Sequence, residues 1–176
     1  MQKAASTTAK VLIGLTLLLA IIGFSVYPPK KTPVTAQTAQ SYLPLRVGSA
    51  QLNVQLALTQ NEQTAGLMHR SNLELDHGML FVFKDAKRRF FWMRNTPLPL
   101  DLAYFDNTGR LQEIHALYPY DEKMVSSRSS AIKFALEVKQ GNLNALGIKT
   151  GAQLDLETLR AALKARGKNP QDFQIR

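Results

Sequence analysis

The residues with the most chemical potential gather around Phe90-Phe91-Trp92-Met93-Arg94-Asn95-Thr96-Pro97-Leu98-Pro99-Leu100-Asp101. This segment holds the only tryptophan, a run of three aromatics and two prolines that bracket a leucine, and it ends on a carboxylate. Asp101 opens a further apolar run, Leu102-Ala103-Tyr104-Phe105, where an unpaired carboxylate would be costly if buried. Two readings fit it. It is an acid facing a ligand in a pocket, or a structural acid neutralised by Arg70, by Arg94 or by backbone amides of the Pro-Leu-Pro loop. Asn95-Thr96 carries the same pair of readings, because such side chains before a proline also satisfy their own backbone. A candidate ligand face therefore combines Arg70, Trp92, Arg94, Asn95 and Asp101, and a catalytic alternative uses Asp101 with Asn95 or His69.

Met68, Met93 and His69 raise a third chemistry, since thioether and imidazole together form a soft set for Cu(I). Met79 and His77 extend the set. Against it, these methionines sit among large apolar neighbours, as core methionines do, and there is no Met-x-x-Met or His-x-His cluster. Other site types are excluded by pattern. His69, His77 and His115 give no His-x-x-x-His pair for a zinc hydrolase. No Gly-x-Ser-x-Gly elbow is present, and Ser126, Ser127, Ser129 and Ser130 read as loop composition, with His115 the only nearby base. No glycine-rich phosphate loop occurs. The absence of cysteine rules out disulfides, thiolate metal sites, a cysteine nucleophile and a lipid anchor on an amino-terminal cysteine. No cofactor is expected.

Charge narrows the partners. Lys3, Lys10, Lys30 and Lys31 carry four of the +9 formal charge, which leaves +5 for the rest of the chain. That excess suits an anionic membrane surface and is a weak argument for nucleic acid, which is not expected as a partner. The basic run Lys84-Asp85-Ala86-Lys87-Arg88-Arg89 precedes the aromatics. It would rest on lipid headgroups or grip an acidic ligand, or simply form a charged turn that keeps two apolar strands from edge pairing.

The elements that must position these residues follow from periodicity. Residues 1–10 form a short basic tail. Residues 11–27 are free of charge and, as a helix, would run roughly 25 Å, slightly under the hydrocarbon thickness of about 30 Å. A cleavage site matches poorly at Gly23-Phe24-Ser25, and the better match at Val34-Thr35-Ala36 lies too far from the apolar run. The segment reads as an uncleaved transmembrane anchor, or otherwise as a signal sequence. Lysines flank it about equally, and the short tail favours a soluble domain facing the periplasm or exterior. Residues 28–42 are a Thr-, Ala- and Gln-rich linker.

Residues 43–157 then read as a β-rich domain. Leu43–Val47 and Leu52–Leu58 alternate, with Gly48-Ser49 turning between them. Thr59 or Asn61 caps a short helix through Met68. Gly78–Phe83 is a strand buried on both faces, and Phe90–Arg94 and Leu102–Phe105 are further strands. Asp106-Asn107-Thr108-Gly109 closes a hairpin onto 110–117. Pro119–Ser130 is expected to be a mobile loop. Ile132–Val138 alternates as a strand, Gly141–Gly147 is a helical turn ending in glycine, and Ala152–Leu156 is a last strand. Residues 158–176 supply a C-terminal amphipathic helix and tail. The fold class is mainly β, a sandwich or partly open barrel with one or two short helices.

The blocks Gly66-Leu67-Met68-His69-Arg70, Gly78-Met79-Leu80-Phe81-Val82-Phe83, Phe91-Trp92-Met93-Arg94-Asn95-Thr96, Pro99-Leu100-Asp101, Leu136-Glu137-Val138 with Gly141, and Gly147-Ile148-Lys149-Thr150-Gly151 recur in this order and spacing in the domain of unknown function 192 family. The chain resembles that family from about Leu45 to Leu156. The resemblance implies a compact, mainly β domain, often behind a signal sequence or anchor, and it carries over no catalytic residue. One departure is Ala152, where the family often has an aspartate after the glycine. The expected function is that of a membrane-anchored envelope protein, a non-catalytic ligand-binding or accessory module whose partners are the membrane, an envelope protein or a small ligand.

Overall fold

The structure, a computed structural model, describes residues 38–175. The apolar run at 11–27 and linker residues 28–37 lie outside the described residues; among the described residues no helix is long and apolar enough to cross a membrane.

Alternating burial makes Leu43–Val47 a half-buried strand, β1, paired antiparallel with β2 (Ala50–Ala57) so that Leu45 faces Leu52. Gly48, at φ 58°, makes the tight turn between them. β3 (His77–Lys87) runs parallel to β2, with Val54 opposite Gly78. A parallel pair requires the chain to cross one sheet face between its strands. That crossover carries α1 (Gln60–Ala65), which starts at a capping box: Thr59 Oγ1 accepts from the Glu62 amide at 3.3 Å, and Glu62 accepts from the Thr59 amide at 2.9 Å.

β4 is only Phe90–Phe91 and pairs with β7 (Val125–Ser126). β5 (Leu100–Asp106) and β6 (Leu111–Leu117) form the expected hairpin, whose turn is held by Asp106 Oδ1 accepting from the amides of Thr108 at 2.8 Å and Arg110 at 3.1 Å. β8 (Ile132–Lys139) lies between β3 and β5. The strand order is β1-β2-β3-β8-β5-β6, a mixed sheet of six strands, and the β4–β7 ribbon is the only second sheet among the described residues. The protein is mainly β, and its sheet does not close into a barrel. The expected sandwich is replaced by one sheet with both faces covered.

One face packs against α2 (Asn142–Ala145), α3 (Leu156–Ala165) and a 3-10 turn at Pro170–Phe173; its core includes Leu80, Phe105, Leu136, Leu159 and Phe173. The helix begins at Leu156 because Asp155 caps it, accepting from the Glu157 and Thr158 amides at 2.9 and 3.3 Å. The strand expected at Ala152–Leu156 reduces to the isolated bridges Val47–Leu154 and Arg110–Gln153. The opposite face is covered by the crossover after α1 and by residues 90–99, with Leu67, Phe81, Phe91, Met93, Leu100, Leu102 and Tyr104 in its core. Burying each such leucine or phenylalanine contributes about 2–3 kcal/mol before entropy is charged.

The segment expected to be mobile is pinned at its C-terminal end. Glu113 Oε1 accepts from the Arg128 and Ser129 amides at 2.8 and 3.2 Å, and buried Ser127 accepts from the Arg89 amide at 3.0 Å. Glu113 achieves this from β6, far away in sequence.

Candidate functional site

Strand β8 pairs on both sides and is covered on both faces, so its side chains from Ile132 to Val138 are buried whichever way they point. Phe134, Leu136 and Val138 serve the helix-covered core; Ala135 and Glu137 point to the other face. Glu137 sits between Met79 of β3 and Leu102 of β5, its cross-strand partners, and is 4 % exposed. Its carboxyl has neither a hydrogen-bond donor nor a cation paired with it among the described residues. Burial pushes it up to about 8 from an ordinary 4.5.

This carboxyl forms the floor of a cleft of about 370 Å³. Phe81 from β3, Phe91 from β4 and Trp92 give it aromatic walls, and buried Thr96 closes one side. Phe81 and Phe91 meet edge to face with centroids 4.8 Å apart, and Phe91 continues to Tyr104 at 5.7 Å, so the wall is fixed by ring packing. Gly66, at φ 47°, brings the backbone across the acid; a Cβ there would lie 3.5 Å from Phe81 Cζ and 3.9 Å from Glu137 Oε2. The absence of a side chain keeps that approach open.

The rim is basic. Lys87 and Arg88 are exposed, with Lys87 Nζ 3.2 Å from Asp85 and Arg88 donating to the Arg128 carbonyl at 3.1 Å. Arg89 is buried against the Phe83 ring at 3.7 Å and paired with Asp85 at 3.0 Å. Its desolvation outweighs that pairing and holds the guanidinium below its usual range. A neighbouring cleft of about 750 Å³ shares Gln60, Gln63, Phe83, Lys87 and Arg89 with this one. The basic run therefore serves as the lip of the cleft.

The residues singled out from the sequence divide between the two sheet faces. Trp92 lines the cleft, with Arg94 stacked 5.5 Å from its ring centroid. Asn95 is exposed at φ 55° and accepts from the His69 amide at 2.8 Å, which ties the crossover to the 90–99 segment. Arg70 donates to Gln55 and, at 3.3 Å, to Tyr42, so it neutralises neither Asp101 nor Glu137. Asp101 lies on the helix-covered face with Ala103 and Phe105. Its Oδ2 accepts from the Gly141 amide at 2.8 Å and holds the start of α2. The geometry thus brings Trp92, Arg94 and Asn95 to one side and leaves Asp101 on the other, apart from Asn95 and His69. Met93 is buried in the core, Met68 lines the cleft and His69 is exposed.

Glu137 lies in the Leu136-Glu137-Val138 block, and nothing in its local sequence assigns it a role. Its signal was faint: an acid inside the run Phe134-Ala135-Leu136-Glu137-Val138, which alternation reads as solvent-facing. Placing β8 at the centre of the sheet reverses that reading. Chemically, a carboxyl titrating near 8 is protonated in most molecules at neutral pH. It donates a hydrogen bond in that form and is poised to exchange its proton. For metals, the grouping Glu74, Asp76 and His77 is largely exposed, and His77 Nδ1 is already 2.7 Å from Asp76. The cleft offers one carboxyl and no second acid or imidazole.

Comparison with known proteins supports a shared domain. A crystal structure from Sinorhizobium meliloti, described as a putative transcription regulator, is 34% identical over 65% of this chain and 95% of its own, with a TM-score of 0.61. A protein of unknown function from Novosphingobium aromaticivorans is 30% identical over 71% of this chain and 97% of its own, with a TM-score of 0.62. No curated protein matches the chain. The family model DUF192, described as Uncharacterized ACR, matches residues 43–156. The cleft over Glu137 and the sheet that carries it fall within that stretch, and the chain belongs to the DUF192 family.

Proposed function

We propose that this protein is a membrane-anchored envelope module that binds a small ligand in the cleft over Glu137. The observation that carries the reading is the unpaired carboxyl, 4 % exposed at the floor of an aromatic-walled cleft. A buried carboxylate with no donor or cation beside it is costly, and a ligand entering the cleft would supply the missing partner. Phe81, Phe91 and Trp92 supply apolar contact, and Gln60, Gln63, Thr64 and Thr96 add polar groups able to orient a small molecule. The anchor rests on the uncharged run at 11–27 and its flanking lysines.

A fragment library screened by saturation-transfer NMR against the full chain in non-ionic detergent tests the cleft. Ligands should bind wild type and be lost in Ala65→Phe, which plugs the mouth from an exposed helix position, and in Glu137→Leu. Binding that survives both variants, or no binding at all, rejects the site. Alkaline carbonate extraction of membranes tests the anchor: release of the chain into the supernatant would reject it.

A further inference from the structure

We infer that the ligand of this cleft is a small zwitterion that inserts an ammonium group toward Glu137 and leaves an anionic group at the Lys87–Arg88 rim. The inference rests on reading the cleft as a binding site and adds the ligand's charge pattern. Three observations carry it. The floor holds one buried acid with no cationic partner. The walls are the rings of Phe81, Phe91 and Trp92, whose faces favour a cation in a desolvated setting. The lip carries exposed Lys87 and Arg88, which favour an anion. A simple cation would meet the basic lip on entry, and a simple anion would meet the acid at the floor. A molecule with both charges, ordered along the cleft axis, satisfies both ends, and about 370 Å³ admits only a compact one.

The same pairing sets a pH dependence. Around Glu137, Met79 and Phe81 of β3 are uncharged, and so are Gly66 and Met68 of the crossover and Phe91 and Thr96 of the covering segment. On β5, Leu102 is apolar and Tyr104 is titratable, with burial and the nearby acids Glu113 and Glu137 holding its phenol well above its ordinary value. The remaining charges are the rim cations Lys87, Arg88 and Arg89, with Asp85 paired to Lys87 and Arg89, and Arg94 over the Trp92 ring. Ammonium binding must strip the proton from Glu137, so affinity falls about tenfold per pH unit below about 8.

The test titrates phosphoethanolamine into the full chain in non-ionic detergent at pH 8, read by Trp92 emission, with ethanolamine and inorganic phosphate as half-ligands. Phosphoethanolamine should bind saturably, each half-ligand at least tenfold more weakly. Glu137→Gln and the double variant Lys87→Ala/Arg88→Ala should each weaken it at least tenfold. Affinity should drop from pH 8 to pH 6 in wild type and stay level in Glu137→Gln. Glycerophosphoethanolamine separates the sources: tighter binding than the monoester assigns a lipid headgroup, weaker binding a free metabolite. Inorganic phosphate binding as well as phosphoethanolamine, or indifference to Glu137→Gln, overturns the zwitterion. Fragments that bind dependent on Ala65 and Glu137 while phosphoethanolamine fails overturn the ligand class and leave the cleft standing; failure of both removes the cleft as well.

Discussion

Replacing Glu137 by glutamine should stabilise this protein at neutral and alkaline pH. The unfolded chain releases the Glu137 proton near 4.5, whereas the folded state keeps it until about 8. Between those values the native state binds the extra proton, so stability falls as pH rises, and it levels off above about 8. Each pH unit in that window removes about 1.4 kcal/mol. The loss reaches about 3 kcal/mol at pH 7 and about 5 kcal/mol at pH 9.

Glutamine keeps the shape and has no proton to hold. Its amide, left without a partner on an apolar floor, costs about 1 kcal/mol at every pH. The stability curves should therefore cross: the variant is about 1 kcal/mol weaker at pH 4.5, about 2 kcal/mol stronger at pH 7 and about 4 kcal/mol stronger at pH 9. Urea unfolding of the full chain, followed by Trp92 emission, measures this, with the denaturant slope expected to stay unchanged. Curves that run parallel from pH 4.5 to 9 would falsify the claim that the floor of the cleft is an unpaired acid.

Three further outcomes are expected. Asp101→Ala should cost about 1–3 kcal/mol, because the Gly141 amide loses its acceptor, while Asp101→Asn keeps an oxygen there and costs less; neither should alter ligand titrations read at Trp92. Glu62→Ala should destabilise by about 3 kcal/mol in thermal or urea unfolding, since Arg166, only 6% exposed, keeps its bond to the Leu56 carbonyl at 2.8 Å but loses the 2.7 Å carboxylate. Glu113 should respond to acid in the sense opposite to Glu137. Burial alone would raise its carboxyl, but His115 and the amides of Ser129 and Arg128 outweigh it and hold it below 4.5. Its contribution is present above 4.5 and lost as pH falls through the lowered value. The protection factors of the Arg128 and Ser129 amides, with the intrinsic pH dependence of exchange divided out, should therefore fall in acid and be low at all pH in Glu113→Ala.

Much of the fold was legible because its signals are local. The β1–β2 hairpin follows from alternation and the β5–β6 hairpin from its Asp106–Gly109 turn. Of the two candidate caps Thr59 starts α1, which ends at Ala65 rather than Met68 because the chain turns at Gly66. The misreadings share a cause, which is that partners distant in sequence decide burial. Phe90–Arg94 was expected to be a strand, yet only Phe90 and Phe91 pair, since the Met93 amide donates to Asp121 at 2.8 Å and the chain then turns at Thr96. Composition makes Pro119–Ser130 a loop, and Glu113 holds its C-terminal end through the Arg128 and Ser129 amides.

Asp101 and Glu137 show why the site was harder to find than the sheet. Asp101 is conspicuous along the chain, set after two prolines and before an apolar run, yet it meets the nearest unpaired amide and is satisfied at 2.8 Å. Glu137 is inconspicuous, since a strand that alternates normally puts such an acid in water at no cost. Its cost arises only when β3 and β5 take both sides of β8 and the 66–76 and 90–99 segments cover the remaining face. Oddity in sequence measures how hard a residue is to place locally, whereas function needs a group that the finished fold leaves unsatisfied. That criterion moves the site across the sheet, from the end of the proline segment to its start, where Trp92 overhangs the cleft floored by the unpartnered acid.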